Sequence, residues 1–189
     1  DRFDILLSDL LEMSKIDAGA SPLESAPIDL SVITQVILRD NSEIAAEHST
    51  SFKFVSSGDS TVTADNRRVS RIIRNLIVNA IEHCDGTDVE VEIAGNETCV
   101  SISVRDRGQG IAVEDLSRVF GRFWRADPAR QRTLGGTGLG LSISAEDAAL
   151  HGGIIDVWGA PNEGAQFVLS LPRMELGEIT NVAILAGAP

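Results

Sequence analysis

Along DRFDILLSDLLEMSKIDAGA, the first twenty residues, Phe3, Leu6, Leu7, Leu10, Leu11 and Met13 recur at helical spacing and Gly19 is a stop signal. This predicts a short helix over residues 1–20 whose apolar stripe pairs with another helix in a bundle or dimer. Residues 21–28, with Pro22 and Pro27, read as a linker. Asp29 is a cap for a helix predicted over residues 30–47, with Ile33, Val36, Ile37 and Ile44 inward. SFKFV and TVTAD then read as two short strands about Gly58. Asp65 is a second cap, for NRRVSRIIRNLIVNAIEH, where Val69, Ile72, Ile73, Leu76 and Ala80 share one face. VEVEIA and TCVSISVRD alternate around Gly95 and Asn96, which predicts an antiparallel hairpin. A fourth helix is predicted to start near Gly138 and stop at Gly152 and Gly153. IIDVWG and AQFVLSLP make a last hairpin closed by Pro172. Residues 173–189 show no strong pattern and read as a loosely held tail.

Composition narrows the class. The 189 residues are 43% hydrophobic and 23% charged, which suits one soluble domain plus an appendage and excludes a disordered chain. No apolar run reaches membrane-spanning length and no secretory signal opens the chain, so the reading is an intracellular domain. Cys84 and Cys99 read as reduced core residues, without zinc spacing to any Cys or His. A net charge of −12 argues against nucleic acid as a partner. Locally the balance reverses: between residues 118 and 132, Arg118, Arg122, Arg125, Arg130 and Arg132 face only Asp127. Such a stretch is either a solvated loop face or a lid turned to phosphate, and the glycine clusters on both sides favour the lid.

Those clusters are VRDRGQGI, at the end of a predicted strand, and GGTGLGLSI, at the start of a predicted helix. Glycine lets backbone amides approach a phosphate, and a helix N-terminus offers unpaired N–H groups at its positive end. Together they suggest two walls of a nucleotide site. Asn75 and Asn79, four apart on one side of the third helix, either satisfy neighbouring loop backbones or face a hydrated magnesium and phosphates. Familiar alternatives fail. A Rossmann fingerprint would need glycine where Leu141 stands, and a P-loop needs Gly-Lys, whereas Lys15 and Lys53 are the only lysines and neither follows glycine.

NLIVNAIEH, DRGQG, FGRFWR and GGTGLGLSI, in this order and spacing, resemble the N, G1, F and G2 boxes of bacterial sensor histidine kinases. The resemblance covers residues 29–172, and residues 1–20 resemble the end of the second helix of the dimerisation hairpin that precedes the catalytic domain. It implies an α+β, two-layer α/β sandwich of the Bergerat type: a mixed, mostly antiparallel sheet with helices on one face. It also implies ATP and Mg2+ as cofactors. Asp106 would accept a hydrogen bond from the adenine amino group, which a fixed carboxylate can tell from a carbonyl. Gly108, Gly110, Ile111 and His83 would lie about the base, and Asn79 would bind magnesium while Asn75 supports the phosphates. Gly136, Thr137, Gly138, Leu139, Gly140 and Leu141 would bring the second glycine wall to the phosphates. Phe120 and Phe123 would anchor the lid.

Two departures matter. The asparagine box ends in Glu82 and His83 where the family usually has a basic residue and then tyrosine or histidine, so Arg122 or Arg125 is the candidate for the missing charge. Asn75 also stands where hydrolysing relatives carry a glutamate, and asparagine is a poor general base, so a protein side chain is favoured over water as acceptor. None of His48, His83 and His151 has the acceptor setting of the family. His151 reads instead as a cation suited to a helix C-terminus. The resemblance therefore implies a catalytic domain that transfers the γ-phosphate to a histidine outside this chain, for relay to a response regulator. Its setting would be the cytoplasmic part of a membrane-anchored homodimer. An ATP hydrolase or chaperone-type gate, and a docking module without nucleotide, are the other two readings.

Overall fold

The structure is a computed structural model and describes residues 7, 22–124, 138–174, 177–179, 182–184 and 186–187. Apart from Leu7, the expected opening helix lies outside the described residues. The chain then runs β1 (Ser25–Asp29), α1 (Leu30–Asp40), α2 (Ser42–Glu47), β2 (Phe52–Ser57), β3 (Thr61–Asp65) and α3 (Asn66–His83). It continues through β4 (Val89–Gly95), β5 (Cys99–Asp106), a 3-10 turn (Val113–Asp115), α4 (Gly140–Leu150), β6 (Ile154–Ala160) and β7 (Gly164–Pro172).

Five strands form one sheet in the order β2-β4-β5-β7-β6, and β1 pairs with β3 in a small antiparallel sheet. The pairing β2 to β4 is parallel and the other three are antiparallel, so the sheet is mixed and mostly antiparallel as the sequence implied. Alternation decides its faces. Val100, Ile102 and Val104 of β5 join Phe167, Leu169 and Leu171 of β7 in the core, against Val69, Ile72, Ile73, Leu76 and Ile77 of α3. These six residues of β5 and β7 repeat at every second position, which puts the helices on one face.

Asp65 caps α3 as the sequence suggested, accepting the N–H groups of Arg67 and Arg68. Three expectations are corrected. Residues 30–47 form two helices, because Asn41 leaves helical geometry and turns its amide nitrogen onto the Ile37 carbonyl at 2.8 Å. Val36, assigned to the core, is 41% exposed. The linker over residues 21–28 contains most of β1, whose Ala26 and Ile28 oppose Ala64 and Val62. Proline at position 27 is compatible with that role because, among the described residues, β1 has a partner on one side only.

Candidate nucleotide site

The site is built along α3. At residue 75 the helix touches the start of α4: Asn75 donates from Nδ2 to the Gly140 carbonyl and to Ser144 Oγ, both at 3.0 Å. A Cβ at Gly140 would sit 3.4 Å from the Asn75 side chain, so the two helices meet here at van der Waals distance. At residue 83 the same helix touches the loop after β5. A Cβ on Gly108 would lie 1.6 Å from the His83 carbonyl, so only glycine allows this approach. Gln109 Nε2 donates to His83 Nδ1 at 2.8 Å, which puts the imidazole proton on Nε2. Eight residues of helix separate the two contacts, about 12 Å. Midway on the same face stands Asn79, half-buried, whose side chain makes no hydrogen bond to another described residue.

Asp106 closes β5 and is 2% exposed. Its Oδ1 accepts the Gly108 N–H at 3.0 Å. Burial pushes its carboxyl up to about 6, because desolvation outweighs the backbone N–H groups of Gly108 and Ala165 that favour the anion. The loop turns back at Gly110, whose φ of +71° requires glycine and whose backbone packs on the Ala160 carbonyl. Gln109 accepts the Asn162 N–H at 2.8 Å, and Ile111 lies over Gly159. The β6 to β7 hairpin thus forms the floor beneath the first glycine cluster.

At the other wall, α4 has no capping side chain at its N-terminus, and Leu139 is fully buried beneath its first turn. Leu141 packs against the core. The positive helix end and its amide groups are suited to an anion. Gly138, at φ +77°, accepts the Phe123 N–H at 3.0 Å. That bond ties the F box to the second glycine cluster. Phe120 is anchored edge-on against Phe167, with ring centroids 6.2 Å apart, whereas the Phe123 side chain is 57% exposed. Arg122 donates to Glu146 of α4 at 2.9 Å. Arg125, Gly136 and Thr137 lie outside the described residues.

Sequence reasoning missed the polar seam behind this wall. Asp147, fully buried on α4, receives Arg68 Nη1 at 2.7 Å and Arg71 Nη2 at 2.7 Å. One turn on, His151 accepts the Asp65 N–H at Nε2 and donates from Nδ1 to the Asp147 carbonyl. The ring is therefore neutral and structural, which corrects its reading as a cation. Residues 68, 71 and 75 of α3 face residues 140, 144 and 147 of α4, and this matched polar stripe was the available signal.

ATP fits this arrangement on two counts: a buried carboxylate stands at one end of the α3 face and an uncapped helix start at the other. For Mg2+, no group of three acidic, His or Cys side chains occurs among the described residues. Magnesium takes oxygen ligands and keeps several waters, so the amide oxygen of Asn79 could supplement phosphate oxygens there.

Residues 64–175 match the family described as histidine kinase-, DNA gyrase B- and HSP90-like ATPase, and the chain belongs to that family. Within it, the chain is similar to the sensor histidine kinase MtrB of Mycobacterium leprae, at 44% identity over 95% of this chain and 32% of the relative. MtrB of Mycobacterium tuberculosis is 43% identical over the same shares, and the sensor-like histidine kinase SenX3 of Mycolicibacterium smegmatis is 36% identical over 89% of this chain and 44% of its own. The chain thus spans about a third of the length of the MtrB relatives. Among solved structures, full-length ShkA in complex with AMPPNP matches with a TM-score of 0.79 and 29% identity, over 89% of this chain and 36% of that one. The nucleotide-free catalytic domain of the histidine kinase ThkA matches at 0.71 and 26%, over 80% and 97%. These likenesses support the two-layer sandwich inferred from the sequence.

Proposed function

We propose that this chain is the ATP-binding catalytic domain of a two-component sensor histidine kinase, and that it passes the γ-phosphate of ATP to a histidine on a dimerisation domain. The phosphoryl group leaves ADP and joins the imidazole nitrogen, for relay to a response regulator aspartate. The single observation that carries this is the 12 Å face of α3 described above, with Asp106 and its loop at one end and the start of α4 at the other. Such a face spans a nucleoside triphosphate. Asp106 accepts from the adenine amino group with His83 beside the base. Asn75 supports the phosphates through the α4 turn that it holds, and Asn79 ligates magnesium. When bound, that ion neutralises phosphate charge. Arg122 meets phosphate charge by leaving Glu146, and Arg125 is the second candidate for that role.

Water is a poor acceptor here. Asn75 has no carboxylate to activate it, and its amide nitrogen is already committed to α4. In the whole protein this domain would belong to a membrane-anchored homodimer. No helix among the described residues is long and apolar enough to cross a membrane.

The test is incubation with Mg-ATP labelled at the γ-phosphate, with and without an added dimerisation domain of a related sensor kinase. Acid-labile label is expected on the added domain and not on this chain. Steady phosphate release with neither protein labelled would favour hydrolysis and overturn the reading.

A further inference from the structure

The outer face of the large sheet, opposite the helices, is not uniformly open. At its flanks Val55 is 61% exposed and Ile154 44% exposed. Along the two central strands every outward residue is buried, from Cys99, Ser101 and Ser103 to Arg105 on β5, and Gln166, Val168 and Ser170 on β7. Two side chains of this stripe meet the C-terminal segment. Ser101 Oγ accepts the Ala183 N–H at 3.2 Å, and Gln166 Oε1 accepts the Gly187 N–H at 3.0 Å. In the register of β5 and β7, Ser101 opposes Ser170 and Arg105 opposes Gln166. Ala183 thus sits at the Ser101 rung and Gly187 four rungs on at the Gln166 rung, so the segment runs in the direction of β5. Within the stretch expected to be a loosely held tail, the described residues between 182 and 187 are half-buried on a sheet face.

The stripe ends in an unmet requirement. Arg105 is 8% exposed, its guanidinium carbon lies 5.0 Å from the Trp158 ring centre, and its Nε and Nη2 have no hydrogen-bond partner among the described residues. Stacking on an indole lowers the cost of burying the charge but supplies no acceptor.

We propose that the outer face over β5 and β7 is a peptide-docking groove, filled in cis by the described residues between 182 and 187. Its favoured occupant in trans is an extended segment of small and aliphatic residues followed by an acidic side chain that pairs with Arg105. Ser101 and Gln166 read the backbone N–H groups of any such segment, whereas Arg105 selects the carboxylate. Among the described residues the cis segment meets the groove through the Ala183 and Gly187 N–H groups and offers Arg105 Nε and Nη2 no acceptor, so a partner that supplies one can displace it.

The test uses the full chain and two peptides, NVAILAGD and NVAILAGN, with hydrogen exchange read at the amides of Ala183 and Gly187. Both peptides are expected to speed exchange at millimolar concentration, since the tethered segment competes at an effective concentration of that order. The acidic peptide should act at about tenfold lower concentration, as one charge-assisted bond allows, and Arg105→Gln should abolish that advantage. Equal potency on the unaltered chain, or an advantage that survives Arg105→Gln, overturns the proposal. A second measurement does not depend on Arg105→Gln folding. A Cβ at position 187 would meet nothing within 4 Å, so Gly187→Ala should leave exchange at Ala183 unchanged. Gly187→Pro removes the N–H bonded to Gln166 and should speed exchange at Ala183 about fivefold. The same rate in both variants would show that the groove does not hold the segment.

Discussion

Asp106 combines two demands that pull against each other. With its carboxyl raised from 3.8 to about 6 by burial, the folded chain binds more protons than the unfolded chain between those values. Folding stability contributed by this group is therefore full below about pH 4, falls as pH rises to 6, and stays lower by about 3 kcal/mol at neutral pH. Asp106→Asn is expected to raise the stability of the ligand-free chain at pH 7 by about 1 to 3 kcal/mol in urea denaturation, and to abolish most adenine-nucleotide binding. Nucleotide affinity of the unaltered chain should fall as pH drops through 6, because a protonated carboxyl is a poorer acceptor for an amine. A flat affinity from pH 5 to 8 would remove Asp106 from the base site. The residue was legible in the sequence because an acid ending an alternating strand before Gly108 and Gly110 is conspicuous. Asp147 was not, since helical periodicity gives a residue's face and not what the opposite helix presents.

Between elements, α3 and α4 are joined by charge as much as by apolar packing. Asp147 is fully buried against Arg68, 7% exposed, and Arg71, 26% exposed. Truncating it removes the 2.7 Å partner of the buried Arg68 guanidinium, which keeps a longer contact with Asp65 at 3.9 Å, so Asp147→Ala is expected to cost about 3 kcal/mol in urea denaturation. The exposed pair of Arg107 with Glu90 should contribute less than about 1 kcal/mol by the same measurement. A similar cost for both would mean that water reaches the seam. Asn75 continues this seam toward the start of α4, which accounts for an asparagine inside a helix better than propensity does. Long amphipathic elements such as α3 and the β4 to β5 hairpin were plain in the hydrophobic pattern. The break at Asn41 was hidden because one side-chain bond to Ile37 made it, and periodicity carries across such a break.

In the molecule as a whole, the small sheet and the large one are stitched by Arg173, read from sequence as the first residue of a loose tail. Its guanidinium donates to the carbonyls of Asn96, Asp59 and Thr61 and to the Asp59 carboxylate, at 2.6 to 3.0 Å. Its own carbonyl accepts the Thr63 N–H. Arg173→Ala is expected to cost about 2 kcal/mol and to speed hydrogen exchange in β3 more than in β7. Uniform exchange changes would show that the sheets do not open separately. The sequence pattern could not reveal this tie, because all its partners lie more than 70 residues away. The parallel seam between β2 and β4 has the same long reach, with Phe52 opposite Val89. On a ribosome adding about 5 to 20 residues per second, β2 emerges seconds before its partner strand β4 exists. Through that interval Phe52 and Phe54 are unpaired, so nascent chains are most open to chaperones and to mispairing before α3 and β4 have been made.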